Sequence, residues 1–192
     1  MKKTNSENLR CPWSQTRDQL LRDFHDHEWG KLNLDDDYLF EMLILQLFQS
    51  GLNWRVILHK RENFRKAFKN FDPVGVAALT EQEVGDLMLD SSIIRNHIKI
   101  NATIKNAKAV LIVQAKYGSF AKYLQSIIPT QIVHHPEIFE DIDVSNDLAK
   151  KLAAKMKEDG FFFVGPVIIY SYLQSIGLIN DHLECCPAKY HG

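Results

Sequence analysis

The sequence predicts an all-α fold, and three kinds of observation support that prediction. Every periodic segment repeats its apolar residues with the helical period, and none alternates strictly as a half-buried strand does. Residues that begin or end helices stand at the boundaries of these segments, among them Asn53, the capping box from Thr80 to Glu83, and Gly118. We find no internal repeat and no low-complexity tract in the sequence. We therefore expect a single helical domain.

The predicted helices follow one another along the whole chain. A short helix leads from about residue 20 into the segment HDHEWG, and Asp35 or Asp36 then caps the central helix. Further helices are expected at about 37–50, 54–69, 80–89, 97–116, 120–127, 145–158 and 167–176. Pro73 breaks the helix before it, whereas Pro166 is allowed in the first turn of the last helix. Residues 129–143 are expected to be irregular.

Composition and charge limit the class of protein. Residues 1–9 are polar and predict a disordered tail, so residues 10–192 form the expected domain, with two helical lobes. The first residues lack the apolar core of a signal peptide, and no apolar run approaches the roughly 18 residues that a membrane helix needs. These features indicate a cytoplasmic protein. A formal net charge of −1 excludes a globally basic surface, so contact with nucleic acid requires a local patch.

The stretch from Leu39 to Trp54 combines a buried helix with an unusual polar residue. A lone amide, Gln46, stands in an apolar run, and the turn at Gly51 presents Leu52 and the aromatic ring of Trp54. A polar group in an apolar helix beside a ring is what a pocket for a flat, nitrogen-rich ligand requires. The alternative is a core helix with one satisfied glutamine, and composition alone favours it because ligand pockets are few per protein.

The three cysteines suggest a metal site. An odd number of cysteines in a chain without a signal peptide argues against a disulfide framework. His182 and Cys186 are four residues apart, which places both side chains on one face of a helical turn. Thiols next to histidines favour a metal over redox chemistry.

Two further residues, Cys11 and His25, can complete a set of two thiolates and two imidazoles. Such a closed tetrahedral set is typical of structural zinc, and one zinc ion there would join the two ends of the fold. A catalytic zinc is disfavoured because four ligands leave no open position for water. His27 and Cys185 are competing ligands, and a buried thiol pair with surface histidines is the alternative.

Two segments are candidates for contact with phosphate. The hairpin from Ser91 to Lys99 lies between two helices, where backbone amides can point at a phosphate and Arg95 and Lys99 add positive charge. This hairpin lacks the glycines that are common in helix-hairpin-helix motifs. The helix at 54–69 also carries a basic face, for which ordinary solvation and phosphate contact remain equal alternatives; its members are Lys60, Arg61, Arg65, Lys66 and Lys69.

Many short motifs, in a fixed order, then identify a family. They include RCPW, HDHEWG, LFEM, QSGLNW, ILHKRENFRKAF, FDP, GFFFVGP, YS-x-x-Q-x-x-GL and NDH-x-x-x-C. Together they closely resemble the 3-methyladenine DNA glycosylase I (Tag) family. The resemblance covers residues 10 to about 186, so no single motif has to carry it.

The resemblance implies a helix-hairpin-helix DNA glycosylase fold and a set of site residues. It implies a structural zinc held by Cys11, His25, His182 and Cys186. It assigns residues 93–99 to the hairpin that grips the DNA backbone, which gives Ile94, Arg95, Asn96 and Lys99 as DNA contacts. It implies a pocket for the extruded base, formed by Trp13, Leu21, Phe24, Gln46 and Trp54, with Leu52 as a candidate plug beside the duplex.

Three of the pocket positions depart from the family's usual residues. The family has a glutamate at the position of Gln46, and tyrosines at the positions of Leu21 and Phe24. An amide can accept a hydrogen bond from an exocyclic amine, but it cannot supply a full negative charge to a cationic base. We therefore expect weakened or altered base selectivity, with the scaffold, the zinc and the DNA hairpin intact.

The function implied by the resemblance is that of a monofunctional DNA N-glycosylase, a hydrolase that flips and excises alkylated purines, 3-methyladenine first, in base excision repair. The expected partner is damaged double-stranded DNA, and the expected state is a monomer. We find no lysine at the Schiff-base position of the bifunctional relatives, and we identify no catalytic residue. The departures leave two alternatives open. One is a zinc-stabilised protein that binds lesions without excising them, and the other is a glycosylase with shifted base specificity.

Overall fold

A computed structural model of the chain describes residues 9–190, and within this range the protein is mainly helical. In chain order the helices are α1 (Gln19–His27), α2 (Asp36–Gln49), α3 (Trp54–Ala67), α4 (Pro73–Ala77), α5 (Glu81–Leu89), α6 (His97–Tyr117), α7 (Phe120–Gln125), α8 (Asp147–Glu158) and α9 (Pro166–Ser175). Short 3₁₀ turns occur at Pro12–Ser14, Lys69–Phe71, Phe139–Asp141 and Pro187–Lys189. The mainly helical prediction is confirmed. The predicted tail, residues 1–9, lies outside the described residues except for Leu9.

Helix α2 lies at the centre of the fold. Every residue from Leu39 to Phe48 is buried, and the helix contacts α3, α6, α7 and α9. A helix that is mostly apolar on all sides is stable only when other elements surround it. Its first turn is capped by Asp35, whose carboxylate accepts a hydrogen bond from Tyr38 N at 3.0 Å. Between residues 9 and 190, no helix has the length and apolar character needed to cross a bilayer.

The next carboxylate, Asp36, holds α7 against the start of α2. It accepts hydrogen bonds from Phe120 N at 2.8 Å, Ala121 N at 2.9 Å and Gln114 Nε2 at 2.9 Å. The first amides of a helix have no partner within that helix, so a carboxylate placed there satisfies them and complements the helix dipole. Two adjacent aspartates thus begin one helix and anchor another.

Helix α4 begins at Pro73, a residue that was expected only to end the preceding helix. Pro73 does end the preceding helical segment, but it also occupies the first position of α4. Asp72 caps this short helix by accepting hydrogen bonds from Val74 N at 3.2 Å and Gly75 N at 2.9 Å. Proline is favoured at a first helical position because its missing N–H has no partner to lose there.

The segment expected to be irregular contains a short strand. β1 (Ile132–Val133) pairs in parallel with β2 (Ile179–Asn180), with Ile132 opposite Ile179. Two-residue strands are too short to show the alternation by which a strand is predicted. The start of α8 also differs from the expected Ser145, because Asn146 is the cap and accepts a hydrogen bond from Ala149 N at 2.9 Å.

The end of α9 is fastened to the loop that follows α1. Gly30 N donates to Gln174 O at 2.8 Å, and Asn33 N donates to Ile176 O at 3.0 Å. Gly177 approaches this loop so closely that a Cβ atom there would lie 2.0 Å from the carbonyl carbon of Lys31. Its φ of +73° also favours glycine. These contacts fix the loop between α1 and α2 against the end of α9.

Candidate functional site

A cavity of about 570 Å³ opens where α1, the turn between α2 and α3, and α9 meet. All five residues of the predicted pocket line this cavity: Trp13, Leu21, Phe24, Gln46 and Trp54. They come from four elements: the 3₁₀ turn at Pro12–Ser14 supplies Trp13, α1 supplies Leu21 and Phe24, α2 supplies Gln46, and α3 begins with Trp54. The structure therefore brings together side chains that are up to 41 positions apart in the sequence.

Aromatic rings form one side of the cavity. The ring centroids of Phe24 and Trp54 are 5.0 Å apart, and those of Trp13 and Phe24 are 6.5 Å apart. Trp13 packs edge-on against Trp29 at 5.2 Å, so its ring has a fixed orientation. The Nε1 atom of Trp54 is covered from solvent and has no hydrogen-bond partner among the described residues. Such a wall provides flat apolar surface against which a planar ligand can stack.

Gln46 supplies a polar group at the cavity. Its side chain is almost completely buried, and Nε2 donates a hydrogen bond to Ser175 Oγ at 2.7 Å. Ser175, which ends α9, in turn donates to Ser171 O at 2.9 Å. The amide is thus both a lining group of the cavity and a satisfied polar group, so the two interpretations drawn from the sequence do not exclude each other.

A second polar group of the cavity was missed by the sequence analysis. Tyr170 and Gln174 line the cavity, and both donate to Asp181 Oδ2 at 2.7 Å. Burial and the Asp181 carboxylate raise the pKa of Tyr170, which keeps its hydroxyl protonated. His134 Nδ1 lies 2.6 Å from Asp181 Oδ1 on the other side of the carboxylate. The four-residue spacing of Tyr170 and Gln174 on one helix face was the available signal.

The cavity has a further wall that no sequence pattern indicated. Phe139, Ile142, Asp143 and Val144 line it, and all four come from the segment between β1 and α8. This segment has no helical or strand period that could have predicted its position. Its residues are mostly exposed, so this wall lies at the open side of the cavity.

Three of the four predicted zinc ligands converge next to the cavity. The ligand atoms of Cys11, His25 and Cys186 all lie within 4.8 Å of one another, and the three residues are buried. His25 Nε2 is 3.7 Å from Cys186 Sγ, while His25 Nδ1 lies 2.7 Å from the carboxylate of Asp26. A carboxylate on the outer nitrogen of a histidine is the usual arrangement around metal-binding imidazoles.

The protonation of the two thiols differs. A hydrogen bond from Cys11 and the imidazole of His25 lower the pKa of the Cys186 thiol to about 3, despite burial. The pKa of the Cys11 thiol is raised by the same thiol–thiolate pair and by burial. A thiolate beside a thiol and an imidazole is a donor set that suits zinc, which displaces the remaining thiol proton on binding.

The fourth predicted ligand, His182, packs against His25 but does not belong to the set of converging ligand atoms. Its ring centroid is 4.8 Å from that of His25, and it is completely buried. Its Nδ1 lies 2.9 Å from Asn180 Oδ1, and its Nε2 lies 3.1 Å from His25 O. Burial and the neighbouring His25 lower the pKa of His182 to about 4, so the imidazole is neutral. The competing residues His27 and Cys185 are exposed and do not belong to the cluster.

The predicted hairpin occupies residues 90–96, between α5 and α6. Arg95 is exposed, Ile94 is half-buried, and Asn96 caps α6 by accepting a hydrogen bond from Lys99 N at 3.1 Å. Lys60 Nζ reaches across from α3 and donates to Ser92 O at 2.7 Å. At the turn between α2 and α3, Leu52 is exposed. These positions are consistent with contact to a large partner at this end of the molecule.

Lys99 does not fit the expected phosphate contact. Its side chain is buried, and Nζ donates to Phe48 O at 2.9 Å and to Ser50 O at 2.7 Å. These carbonyls lie at the C-terminal end of α2, where a cation satisfies free carbonyls and complements the helix dipole. Lys99 thus fastens α6 to α2, and the charge of the hairpin rests on Arg95.

The basic face of α3 is largely neutralised within the protein. Arg61 donates to Glu41 at 2.8 Å and to Glu28 at 2.8 Å. Arg65 donates to Glu41 at 2.7 Å and to Glu62 at 2.6 Å. Burial raises the pKa of Glu41, but hydrogen bonds from the two arginines outweigh burial and lower it overall. This face therefore joins α3 to α2, which disfavours the phosphate alternative for Arg61 and Arg65.

Comparison with known proteins gives a consistent result. The chain matches the model of the methyladenine glycosylase family over residues 13–190. It is 40% identical over 182 residues to DNA-3-methyladenine glycosylase 1 of Escherichia coli, covering 92% of this chain and 95% of that protein. It is 36% identical over 181 residues to the DNA-3-methyladenine glycosylase of Haemophilus influenzae, covering 94% and 97%. A crystal structure of a Tyr-to-Phe variant of 3-methyladenine DNA glycosylase I, in complex with 3-methyladenine, matches with a TM-score of 0.89 and 36% identity, covering 92% and 95%.

Proposed function

Because the chain belongs to the methyladenine glycosylase family, we infer that the cavity between α1, α2 and α9 binds a base extruded from DNA. The protein is a DNA-3-methyladenine glycosylase, a hydrolase that removes the alkylated base in base excision repair. The observation that carries the proposal for the cavity is the combination of an aromatic wall with the buried amide of Gln46.

The reaction needs little acid catalysis. Methylation at N3 leaves the base with a positive charge, and cleavage of the C1′–N9 bond sends its electron pair onto the purine, which leaves neutral. A water oxygen bonds to C1′ and releases a proton to solvent, so the product is an abasic site in an uncut strand. The protein must mainly extrude, stack and recognise the base. Extrusion costs a few kcal/mol, and less for a damaged base.

The aromatic wall offsets that cost. Stacking of a base on an aromatic side chain contributes about 1–3 kcal/mol, which is comparable with the cost of extrusion. Trp54, Phe24 and Trp13 are the proposed stacking surface. The relative that holds 3-methyladenine is a Tyr-to-Phe variant. Phe24 departs from the family by the same type of exchange, so the missing hydroxyl is compatible with base binding.

We also propose a structural zinc ion, held by Cys11, His25, Cys186 and His182. The fit is supported by two thiols and an imidazole that already converge, by the neutral state of His182, and by Asp26 behind His25. The ion would cross-link the fold and would take no part in the reaction. Its ligands come from both ends of the described chain, so it would fasten the 3₁₀ turn that carries Trp13 and the helix that carries Phe24.

The proposed DNA surface consists of the hairpin and the turn beside the cavity. Arg95 and the first amides of α6 face a phosphate, while Leu52 fills the space that the extruded base leaves in double-stranded DNA. Arg95 and Leu52 are exposed, and Leu52 stands two residues before Trp54. One chain supplies every part of this arrangement, which supports a monomer. The free, buried thiols Cys11 and Cys186 support a reducing compartment, such as the cytoplasm.

The test is base release from methylated duplex DNA by the purified protein, with the liberated purines identified by mass. We expect 3-methyladenine and no unmodified adenine. The matched control is Trp54→Ala, which should retain the fold and lose release because the stacking surface is gone. A folded protein that binds methylated DNA and releases no base would contradict excision and support the lesion-binding alternative.

A further inference from the structure

We propose that Ser175 is a positioning residue that fixes the amide of Gln46 with its oxygen toward the cavity, so that the enzyme selects bases that present an N–H donor or a positive charge. The inference rests on the proposed function, because it assigns the base-binding role to the same cavity. It concerns Gln46, which departs from the family pattern, and it explains how an amide can serve where the family has a carboxylate.

The first step is the direction of a hydrogen-bond chain. Ser175 Oγ lies 2.9 Å from Ser171 O, and a backbone carbonyl can only accept. The single hydroxyl proton of Ser175 is therefore directed to Ser171 O. Its oxygen is left as an acceptor for Gln46, which lies 2.7 Å away. Only the NH2 group of the Gln46 amide can complete this chain, so the serine decides which end of the amide is held inside the protein.

The second step is the position of the other end. Gln46 lines the cavity, and among the described residues no donor reaches its Oε1 atom. Although Oε1 has no hydrogen-bond partner, the protein does not cover it completely. The free acceptor of the amide is therefore accessible from the cavity. An amide oxygen carries partial negative charge, so it favours a cationic base in the same direction as a carboxylate, although more weakly.

Two neighbouring polar side chains of the cavity also direct donors into the protein. Tyr170 and Gln174 also line the cavity, and both use their donors within the protein, on Asp181. Together with Gln46, three buried polar side chains of the lining thus each direct a donor into the protein. A cavity whose buried polar groups offer acceptors suits a purine with an amino group at position 6. It disfavours a 6-oxo purine, whose carbonyl oxygen would meet another acceptor.

Loss of the serine hydroxyl should free the amide to rotate. In Ser175→Ala, the NH2 end can turn toward the cavity, where it opposes the 6-amino group of 3-methyladenine and can donate to the 6-oxo oxygen of 3-methylguanine. We expect the ratio of 3-methyladenine to 3-methylguanine release from one methylated DNA sample to fall about fivefold, the factor that corresponds to one neutral hydrogen bond. Ser175→Thr keeps the hydroxyl and should retain the ratio.

The matched control is Ser126→Ala. Ser126 also donates to a helical carbonyl, Tyr123 O at 2.7 Å, but it does not line the cavity. Its removal should leave both rates and their ratio unchanged. A purely structural role of Ser175 would lower both release rates together and leave the ratio as in the wild type, and that result would overturn the proposal.

A binding measurement separates the two levels of inference. Free 3-methyladenine and free 3-methylguanine are titrated against the tryptophan fluorescence of the wild type and of Ser175→Ala. In one outcome, the wild type releases no base from DNA but binds free 3-methyladenine more tightly than free 3-methylguanine, and Ser175→Ala loses this binding preference. The proposed excision then fails while the role of Ser175 stands. If the wild type releases 3-methyladenine and neither ratio changes in Ser175→Ala, excision stands and the role of Ser175 is refuted.

Discussion

At position 46, a single side chain is both a hydrogen-bonded polar group within α2 and a lining group of the cavity. Gln46 is buried in the central helix, bonded to Ser175 and open to the cavity on its oxygen side. The sequence could indicate an unusual amide in an apolar helix. It could not indicate Ser175, which is 129 positions away and becomes a neighbour only because α9 packs on α2.

Gln46→Glu should raise the rate of 3-methyladenine release. A charge-assisted hydrogen bond is about twice as strong as a neutral one, which corresponds to a gain of about fivefold. Ser175 would then turn its hydroxyl proton from Ser171 O to the carboxylate. The measurement is single-turnover release from methylated duplex DNA, with Gln46→Met as the control that removes polarity and should lose activity. An unchanged rate in a folded Gln46→Glu protein would mean that the cavity has been adapted to another base.

Lys99 and Arg95 illustrate how neighbouring cations can serve different purposes. Both stand in the predicted DNA hairpin, and sequence alone assigned both to phosphate. Only Arg95 is exposed, because the ammonium group of Lys99 is directed to carbonyls at the end of α2. The contact partners of Lys99 lie 49 and 51 positions away, so no local pattern could reveal them.

Substitution of Lys99 should mainly lower stability, whereas substitution of Arg95 should mainly change DNA binding. Lys99→Met leaves two carbonyls without their cation and should lower the free energy of unfolding by about 1–3 kcal/mol, with little change in the salt dependence of DNA binding. Arg95→Ala should leave the melting temperature unchanged and reduce the slope of log Kd against log salt by about 1. Thermal melting and DNA titration at several salt concentrations measure both. A reduced slope in Lys99→Met would instead show that Lys99 contacts DNA.

At the scale of elements, α2 and α3 are joined by a buried ionic cluster. Glu41 on α2 receives hydrogen bonds from Arg61 and Arg65 on α3, and Arg61 also reaches Glu28 near the end of α1. Sequence analysis predicted both helices and the cap at Asn53, but it described the arginines as a free basic face. The error has a physical cause, because a helical pattern fixes which residues share a face and says nothing about what packs against that face.

Glu41→Gln should destabilise the protein in a manner that depends on pH. The pKa of Glu41 is lowered in the folded state, so its contribution is complete above the ordinary carboxyl pKa near 4.5 and is lost as pH falls through the lowered value. At neutral pH we expect a loss of about 1–3 kcal/mol, since Arg61 and Arg65 lose their shared buried partner and keep only the more exposed Glu28 and Glu62. Urea unfolding at pH 7 and at acid pH measures the difference, which should shrink at acid pH.

The control for this substitution is Glu62→Gln. Glu62 pairs with the same Arg65 but is mostly exposed, so its removal should cost less than about 0.5 kcal/mol at any pH. Equal effects of the two substitutions at neutral pH would show that burial does not strengthen the cluster.

At the scale of the whole molecule, the two ends of the described chain meet at the thiol cluster. Cys11 precedes the 3₁₀ turn at Pro12–Ser14, His25 lies near the end of α1, and Cys186 follows β2 near the other end. The sequence predicted this closure from residue types and from the family resemblance, and the three converging ligands agree with it. The short parallel pair β1–β2 and α4 were not predicted, because neither is long enough to have a measurable period.

Removal of one ligand should weaken the whole fold. Cys186→Ser leaves an incomplete ligand set and should lower both the melting temperature and the amount of bound zinc. The free energy of unfolding should fall by about 3–5 kcal/mol, as when another buried ionic cluster loses a member. The adjacent Cys185→Ser is the matched control, because Cys185 is exposed and outside the cluster. Metal analysis and thermal melting, with and without a chelator, measure the effect. Equal melting temperatures for the two variants would contradict a zinc at this cluster.

Closure between the two ends also has a consequence for biosynthesis. Trp13 packs edge-on against His25 at 5.0 Å, so one wall of the cavity rests directly on the thiol cluster. Cys186 leaves the ribosome last among the ligands, and at about 5–20 residues per second the interval after Cys11 is on the order of ten seconds or more. During this interval Cys11 lacks its neighbour Cys186, and the wall lacks the support of the completed cluster. A nascent chain should therefore complete this wall of the cavity only at the end of translation.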